Sequence, residues 1–377
     1  MDFSFSEEQE AVRDLTRRIL SDRVTHERIR ALEASGAWYD AELWSELARA
    51  NLPAIVLPEK LGGAGLGPLE VALVLEEVGR KLAPVPLFAT LALGAMPLVE
   101  FGSEAQQRKY LLPVAEDAAI LTAALQEYAS LDSAAPRATA RRDGAGFRLE
   151  GEKICVPAAH LARVMLVPAR TQEGGVGVFL VEPGAAGLKL ERQIATNREP
   201  LSRVELGGVR VGPEAVLGSL ERGAEILDWM LQRALLGLSA IQVGVAEAAM
   251  RHTAEYVIER KQFGRPIGSF QSAQHRIADA YIDVECVRSV VWEAAWRLAQ
   301  GLPAALQVGA AKWWACLAGD RVTHTAQHLH GGIGADTDYP IHRHFLWSQQ
   351  LLITLGGPSQ QLADLGARLV REFRPEA

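Results

Sequence analysis

The stretch YVIERKQFGRPIGSFQ, Tyr256 to Gln271, begins as a helix and then breaks. Ile241, Val245, Ala249 and Tyr256 lead into it at helical spacing, and Gly-Arg-Pro-Ile-Gly stops the run. A helix that ends at Arg260 sets a guanidinium beside the following turn. That planar fork of donors suits a phosphate or pyrophosphate. Phe263 can stack on a flat ring, and Gln271 can donate to an oxygen or an aromatic nitrogen. Taken alone, the spacing better suits a surface ion pair of Arg260 with Glu255 or Glu259 and a core Phe263.

Reading outward, Ile277, Tyr281, Val284, Val291 and Leu298 continue the helical spacing. Gly237, Gly244, Ala246 and Ala248 are small enough to let helices approach closely. Toward the N-terminus the texture changes. FRLEG, RVMLVPAR, VGVFLVEP, LKLER and VELGGVRV are short apolar or alternating runs separated by Gly, Pro and Asn. That pattern predicts antiparallel β structure. Before residue 115 the chain reads as helix again. Ser6 precedes Glu7 and Glu8 and suits an N-cap. PEKLGGAGLGPLE, Pro58 to Glu70, predicts a tight turn, because no Lys-Ser or Lys-Thr follows it as in a phosphate loop. The expected domains are an N-terminal α-helical domain at 1–117, a middle β domain at 118–218 and a C-terminal α-helical domain at 219–377.

The 377 residues are 49% hydrophobic and 23% charged, with a net charge of -7. No basic footprint for nucleic acid is present, so an anionic ligand needs local Arg or Lys. Cys155, Cys286 and Cys316 are odd in number and far apart, which fits a reducing compartment better than a disulfide framework. The opening MDFSFSEEQEAVRDLTRRIL lacks the pattern of a signal peptide, and no uninterrupted apolar run approaches ~18 residues. The expectation is a cytoplasmic protein with no membrane span.

THTAQHLHGGIGADTDYP, Thr323 to Pro340, is a second constellation. His324 and His328 have the i, i+4 spacing of zinc histidines, but Thr325 stands where that chemistry needs a glutamate. Gly331 and Gly332 better suit exposed backbone N–H groups or the close approach of another chain. There is no Gly-x-Ser-x-Gly elbow, no Cys-x-x-Cys pair and no Rossmann glycine motif.

Together these segments resemble the acyl-CoA dehydrogenase family, nearly end to end. MDFSFSEEQEAVRD is similar to its opening helix. PEKLGGAGLG with VLEEVGRKLAPVPL resembles its first-domain signature. ERKQFGRPIGSFQSAQHRIAD and QHLHGGIGADTDYP match its two most specific runs. The resemblance implies an α+β fold: an N-terminal helical domain, a middle antiparallel β domain and a C-terminal four-helix domain. It implies FAD, usually a tetramer, and α,β-dehydrogenation of an acyl-CoA thioester. In that reaction a glutamate takes the α proton and the β hydrogen leaves as hydride to the flavin. Electrons then pass to electron-transfer flavoprotein or a similar acceptor. By the same resemblance Arg260, Phe263 and Gln271 would touch the ADP half of a neighbouring subunit's FAD, joined by His328, Gly331 and Gly332. His328 stands where the family has Gln, and Gln327 lies one place earlier.

The chain departs from the family where the chemistry is done. LQEYASLDSAAPRA keeps Glu127, but Gln126 and Tyr128 replace a Thr and a Pro, and a Gly-Ser pair is missing. Cys155, Val156 and Pro157 replace Trp-Ile-Thr. The usual catalytic glutamate matches Leu355, and the alternative family position matches Ala234. An Arg-Asp pair matches Leu346 and Trp347. Residues serving a neighbour's flavin are kept and those serving the chain's own site are lost. This resembles the base-lacking member of bacterial paired α2β2 enzymes acting on steroid side chains and other bulky acyl groups. The resemblance thus implies a heterotetramer with a homologous subunit. A homotetramer with a relocated base at Glu127, Asp228 or Glu247 is an alternative. A flavin monooxygenase or non-catalytic scaffold of the same fold is another.

Overall fold

The computed structural model describes residues 4–37 and 39–373. In chain order the helices are α1 (Glu7–Arg23), α2 (His26–Ser35), α3 (Ala41–Arg49), α4 (Pro68–Lys81), α5 (Met96–Phe101), α6 (Glu104–Tyr110) and α7 (Leu112–Asp117). Strands follow: β1 (Ile120–Ala123), β2 (Thr139–Asp143), β3 (Gly146–Pro157), β4 (Ala162–Thr171), β5 (Val176–Val181), β6 (Leu188–Ile194) and β7 (Pro200–Val211). Then come α8 (Gly223–Glu259), the two-residue strands β8 (Lys261–Gln262) and β9 (Arg265–Pro266), α9 (Gln271–Ala299), α10 (Ala305–His330), α11 (Ile341–Ile353) and α12 (Pro358–Phe373). The helix, sheet, helix order expected from the sequence is the order observed.

Two compact units divide the chain. One comprises Met1–Arg30, Pro68–Ala83 and Leu235–Ala377, the other Ala31–Gly67 and Pro84–Ala234. In the first unit, α1 opens with the expected cap. Ser6 accepts from Gln9 N at 3.2 Å, and Gln9 Oε1 accepts from Ser6 N at 3.0 Å. This reciprocal pair satisfies two backbone donors that a helix start leaves open.

Helices α4 and α8 lie nearly backbone to backbone. A Cβ on Gly244 would sit 1.9 Å from the Glu76 carbonyl oxygen, and one on Gly79 would sit 2.0 Å from that of Ile241. Beside this seam lies a buried charge network. Glu247 receives Arg80 at 2.6 Å, Arg288 at 2.5 Å and Arg251 at 2.7 Å. Glu77, 1% exposed, receives Arg17 at 2.8 Å and Arg80 at 2.9 Å. Among the described residues one helix, Gly223–Glu259, is long and apolar enough by composition to cross a membrane, but 83% of its apolar window is buried inside the protein. Tyr281 and Ile282 on α9 are 55% and 57% exposed, so the periodic apolar set includes a face turned outward.

Buried histidines tie this unit's stability to pH. Burial pushes the His344 imidazole down to about 3, with His252 and His342 adding to the effect. Burial also lowers His252 and His330. The folded state therefore prefers these rings neutral, whereas the unfolded chain takes up protons below ~6.5. Stability is unaffected above that pH and falls as pH drops below it. His344 alone is expected to remove about 2 kcal/mol by pH 5. Chemical denaturation at pH 7.5 and pH 5 measures this, and a His344→Asn variant should show a smaller difference between the two.

In the second unit the seven strands run β1-β4-β2-β3-β7-β6, with β5 paired to β4. β2–β3, β3–β7, β4–β5 and β6–β7 are antiparallel, while β1–β4 and β2–β4 are parallel. The β3–β7 ladder slips between Lys153 and Val156. At that irregularity Cys155 has φ 51°, and its N–H donates to Gln193 Oε1 at 2.8 Å. The three cysteines are free thiols.

Candidate functional site

The break after α8 is a miniature hairpin. Lys261 pairs with Pro266 and Gln262 with Arg265, leaving Phe263 and Gly264 as a two-residue loop. Both have positive φ, 52° and 80°. A two-residue hairpin loop needs this geometry so that its twist matches the strands. Glycine takes it freely, but a phenylalanine is strained there by roughly 1–2 kcal/mol. The Phe263 side chain is nevertheless 92% exposed, not core. A strained backbone that presents an aromatic ring to solvent makes Phe263 a candidate binding position.

Arg260 stands at the base of the hairpin. Its N–H donates to Tyr256 O at 2.8 Å and its carbonyl accepts from Ile267 N at 2.8 Å. The side chain is exposed, and among the described residues it makes no ion pair with Glu255 or Glu259. Gln271 opens α9, also exposed. The structure thus brings Arg260, Phe263 and Gln271 to one end of the α8–α9 pair. Sequence reading passed over Arg265, whose guanidinium lies 4.1 Å from the Phe270 ring centroid. Its position two residues after Phe263 was the available signal.

The second cluster ends α10. Gly331 has φ 64° and ψ -139°, a conformation open essentially to glycine alone. A Cβ on Gly331 or Gly332 would meet nothing within 4 Å, so both backbones are open to a ligand. His328 is exposed. Gln327 turns inward instead. Its Oε1 lies 2.5 Å from where a Cβ on Gly334 would sit. The imidazole of His328, rather than the neighbouring amide, is the side chain left outside.

The two positions that the sequence resemblance aligns with the family's base, Leu355 and Ala234, carry no proton acceptor. Leu355 lies in the turn after α11 with φ 56°, its carbonyl accepting from Gln361 Nε2 at 2.9 Å. Ala234 is fully buried in α8. The three substitute carboxylates are each engaged. Glu127 accepts from Lys153 Nζ at 2.6 Å, Arg137 N at 2.6 Å and Ala138 N at 3.0 Å. Burial favours its neutral acid, but the Lys153 charge and these hydrogen bonds outweigh that and hold the carboxyl below its ordinary range. Burial likewise opposes ionisation of Glu247, and Arg80, Arg288 and Arg251 together override it. Asp228 accepts from Gln232 Nε2 at 2.7 Å. A catalytic base needs a pKa near the working pH, and Glu127 and Glu247 are shifted away from it.

Comparison with known proteins identifies the family. The acyl-CoA dehydrogenase N-terminal domain family matches residues 6–118, and the C-terminal domain family matches residues 221–370. The acyl-CoA dehydrogenase FadE27 of Mycobacterium tuberculosis is 37% identical over 377 residues, covering 98% of this chain and 99% of its own. The solved structure of the ChsE4-ChsE5 complex from Mycobacterium tuberculosis is 37% identical, with full coverage of both chains and a TM-score of 0.93. A Tcur3481-Tcur3483 steroid ACAD variant is 43% identical, covers 97% of this chain and 98% of its own, and has a TM-score of 0.91. The chain belongs to the acyl-CoA dehydrogenase family.

Proposed function

We propose that this chain is the non-base-bearing subunit of a heterotetrameric, FAD-dependent acyl-CoA dehydrogenase, and that it completes the FAD site of a homologous partner. The observation that carries this is a contrast. Phe263 is held strained and exposed beside an Arg260 that makes no ion pair among the described residues, while Leu355 and Ala234 stand where the resemblance puts the family's base. Two structural relatives are named as two-component assemblies, and one is named as a steroid acyl-CoA dehydrogenase. Both facts favour pairing and a bulky, steroid-type acyl-CoA.

The residues present fit the nucleotide half of FAD. Arg260 offers a bidentate fork to the pyrophosphate. Phe263 supplies a stacking face, Gln271 and His328 supply polar contacts, and Gly331 and Gly332 let the nucleotide lie close to the backbone, although the Gly331 N–H itself is already spent on the Gln327 and His328 carbonyls. The flavin, when bound, would accept the hydride leaving the acyl β carbon. The proton would go to a carboxylate of the partner, because Leu355 and Ala234 offer no acceptor and Glu127 and Glu247 are held ionised by their Lys and Arg partners. Electron-transfer flavoprotein or a similar acceptor, and a cytoplasmic setting, go with this reading. The outward face of α9 with Tyr281 and Ile282 is suited to burial in an assembly.

Co-expression with the adjacent-gene homologue, followed by mass measurement and a flavin count, tests the reading. The expected product is a mixed tetramer with roughly half a flavin per chain. A homotetramer of this chain with one FAD per chain would overturn it. Phe263→Gly separates binding from folding. It should leave stability unchanged or raise it by up to about 1 kcal/mol by relieving strain. It should also weaken FAD binding about tenfold through the lost stacking. Fluorescence titration and denaturant unfolding measure the two effects.

A further inference from the structure

The two clusters assigned to the nucleotide stand at the ends of different helices. Arg260 and Phe263 follow α8, while His328, Gly331 and Gly332 close α10. Both must be held in register for one nucleotide to span them. One turn before Arg260, the Tyr256 ring stacks on His330 with centroids 4.2 Å apart and planes 21° apart. His330 is the last residue of α10 and directly precedes Gly331. It is 4% exposed, its Nδ1 donates to Ala326 O at 2.8 Å, and its Nε2 has no hydrogen-bond partner among the described residues.

Tyr339 closes the other side. Its ring centroid lies 5.4 Å from that of His330 and 6.4 Å from that of Tyr256, and its hydroxyl is 3.0 Å from His252 Nε2. The segment between His330 and Tyr339 is therefore a loop whose two ends touch each other and both rest on α8. The glycine turn sits within that loop.

We infer that Tyr256 and His330 are positioning residues, whose stacked rings lock the glycine turn to the end of α8 so that both clusters engage one nucleotide. This rests on the nucleotide reading given above. The test uses the flavin-loaded assembly with Tyr256→Leu and Tyr256→Phe, and with Arg260→Ala as reference. Tyr256→Leu is expected to raise the FAD Kd about three- to tenfold. Tyr256→Phe should restore wild-type affinity. Amide exchange at residues 331–335 should quicken in the leucine variant only.

If Tyr256→Leu binds FAD as tightly as wild type while Arg260→Ala weakens it, the positioning role is wrong and the nucleotide reading survives. If Arg260→Ala leaves the affinity unchanged, the nucleotide reading fails and takes this inference with it. Equal weakening by the leucine and phenylalanine variants would also overturn the role, because the stack would not be what matters. Should Tyr256→Leu not assemble, His330→Ala against His330→Phe asks the same question from the other ring.

Discussion

Glu127→Gln is expected to destabilise the protein by about 3–5 kcal/mol. Lys153 is 0% exposed, and Glu127 is 7% exposed and 2.6 Å away. The amide would leave an ammonium buried without its counter-charge. Lys153 would then have to release its proton or pull water inward. Two further bonds join the same carboxylate to the Arg137 and Ala138 N–H groups. The variant would thus also loosen the 127–138 loop. Glu127→Leu combined with Lys153→Met should recover most of the loss, since removing both partners avoids the unpaired charge. Denaturant unfolding of the two variants measures this. A loss below about 1 kcal/mol in the single variant would show that the pair is not the structural post described. The result also bears on catalysis. A carboxylate on which folding depends in its ionised form is a poor candidate for a base that must cycle its proton.

Gly244→Ala should be nearly as damaging, at about 3 kcal/mol or more. The added methyl would fall 1.9 Å from the Glu76 carbonyl oxygen and 2.5 Å from Arg80 N. Both are backbone atoms of α4, so no side chain can rotate aside. The helices would have to separate, which would stretch the nearby contacts of Glu247 with Arg80 and Arg288. Helix propensity argues the other way, since alanine is favoured over glycine by about 1 kcal/mol. The sign of the measured change therefore decides which effect wins. A stabilised Gly244→Ala variant would mean that the seam is looser than described.

Much of the architecture was legible in the residues. Ser6 before two glutamates marked the first helix. The alternating runs separated by Gly, Pro and Asn marked the sheet. The run from Tyr256 to Gln271 gave the helix end and its turn. Each is a local signal, carried by neighbours in sequence. The two parallel strand pairings were not legible, because strand order depends on which runs meet across the sheet. Tyr281 followed the helical spacing yet lies on the exposed side of α9. Spacing shows that residues share a stripe but not what covers it.

The sequence by itself determined the helix, sheet, helix order, the glycine turn at Gly331 and Gly332, and the lack of any acid at positions 234 and 355. Only the tertiary structure decided what the remaining charges do. It paired Glu127 with Lys153 across 26 residues and Glu247 with Arg80 across 167, so both carboxylates are engaged in ion pairs. It also turned Phe263 outward against its own backbone preference. The reason is physical: hydrophobic periodicity and turn chemistry act between near neighbours, whereas burial, ion pairing and strain depend on which distant segments the fold presses together.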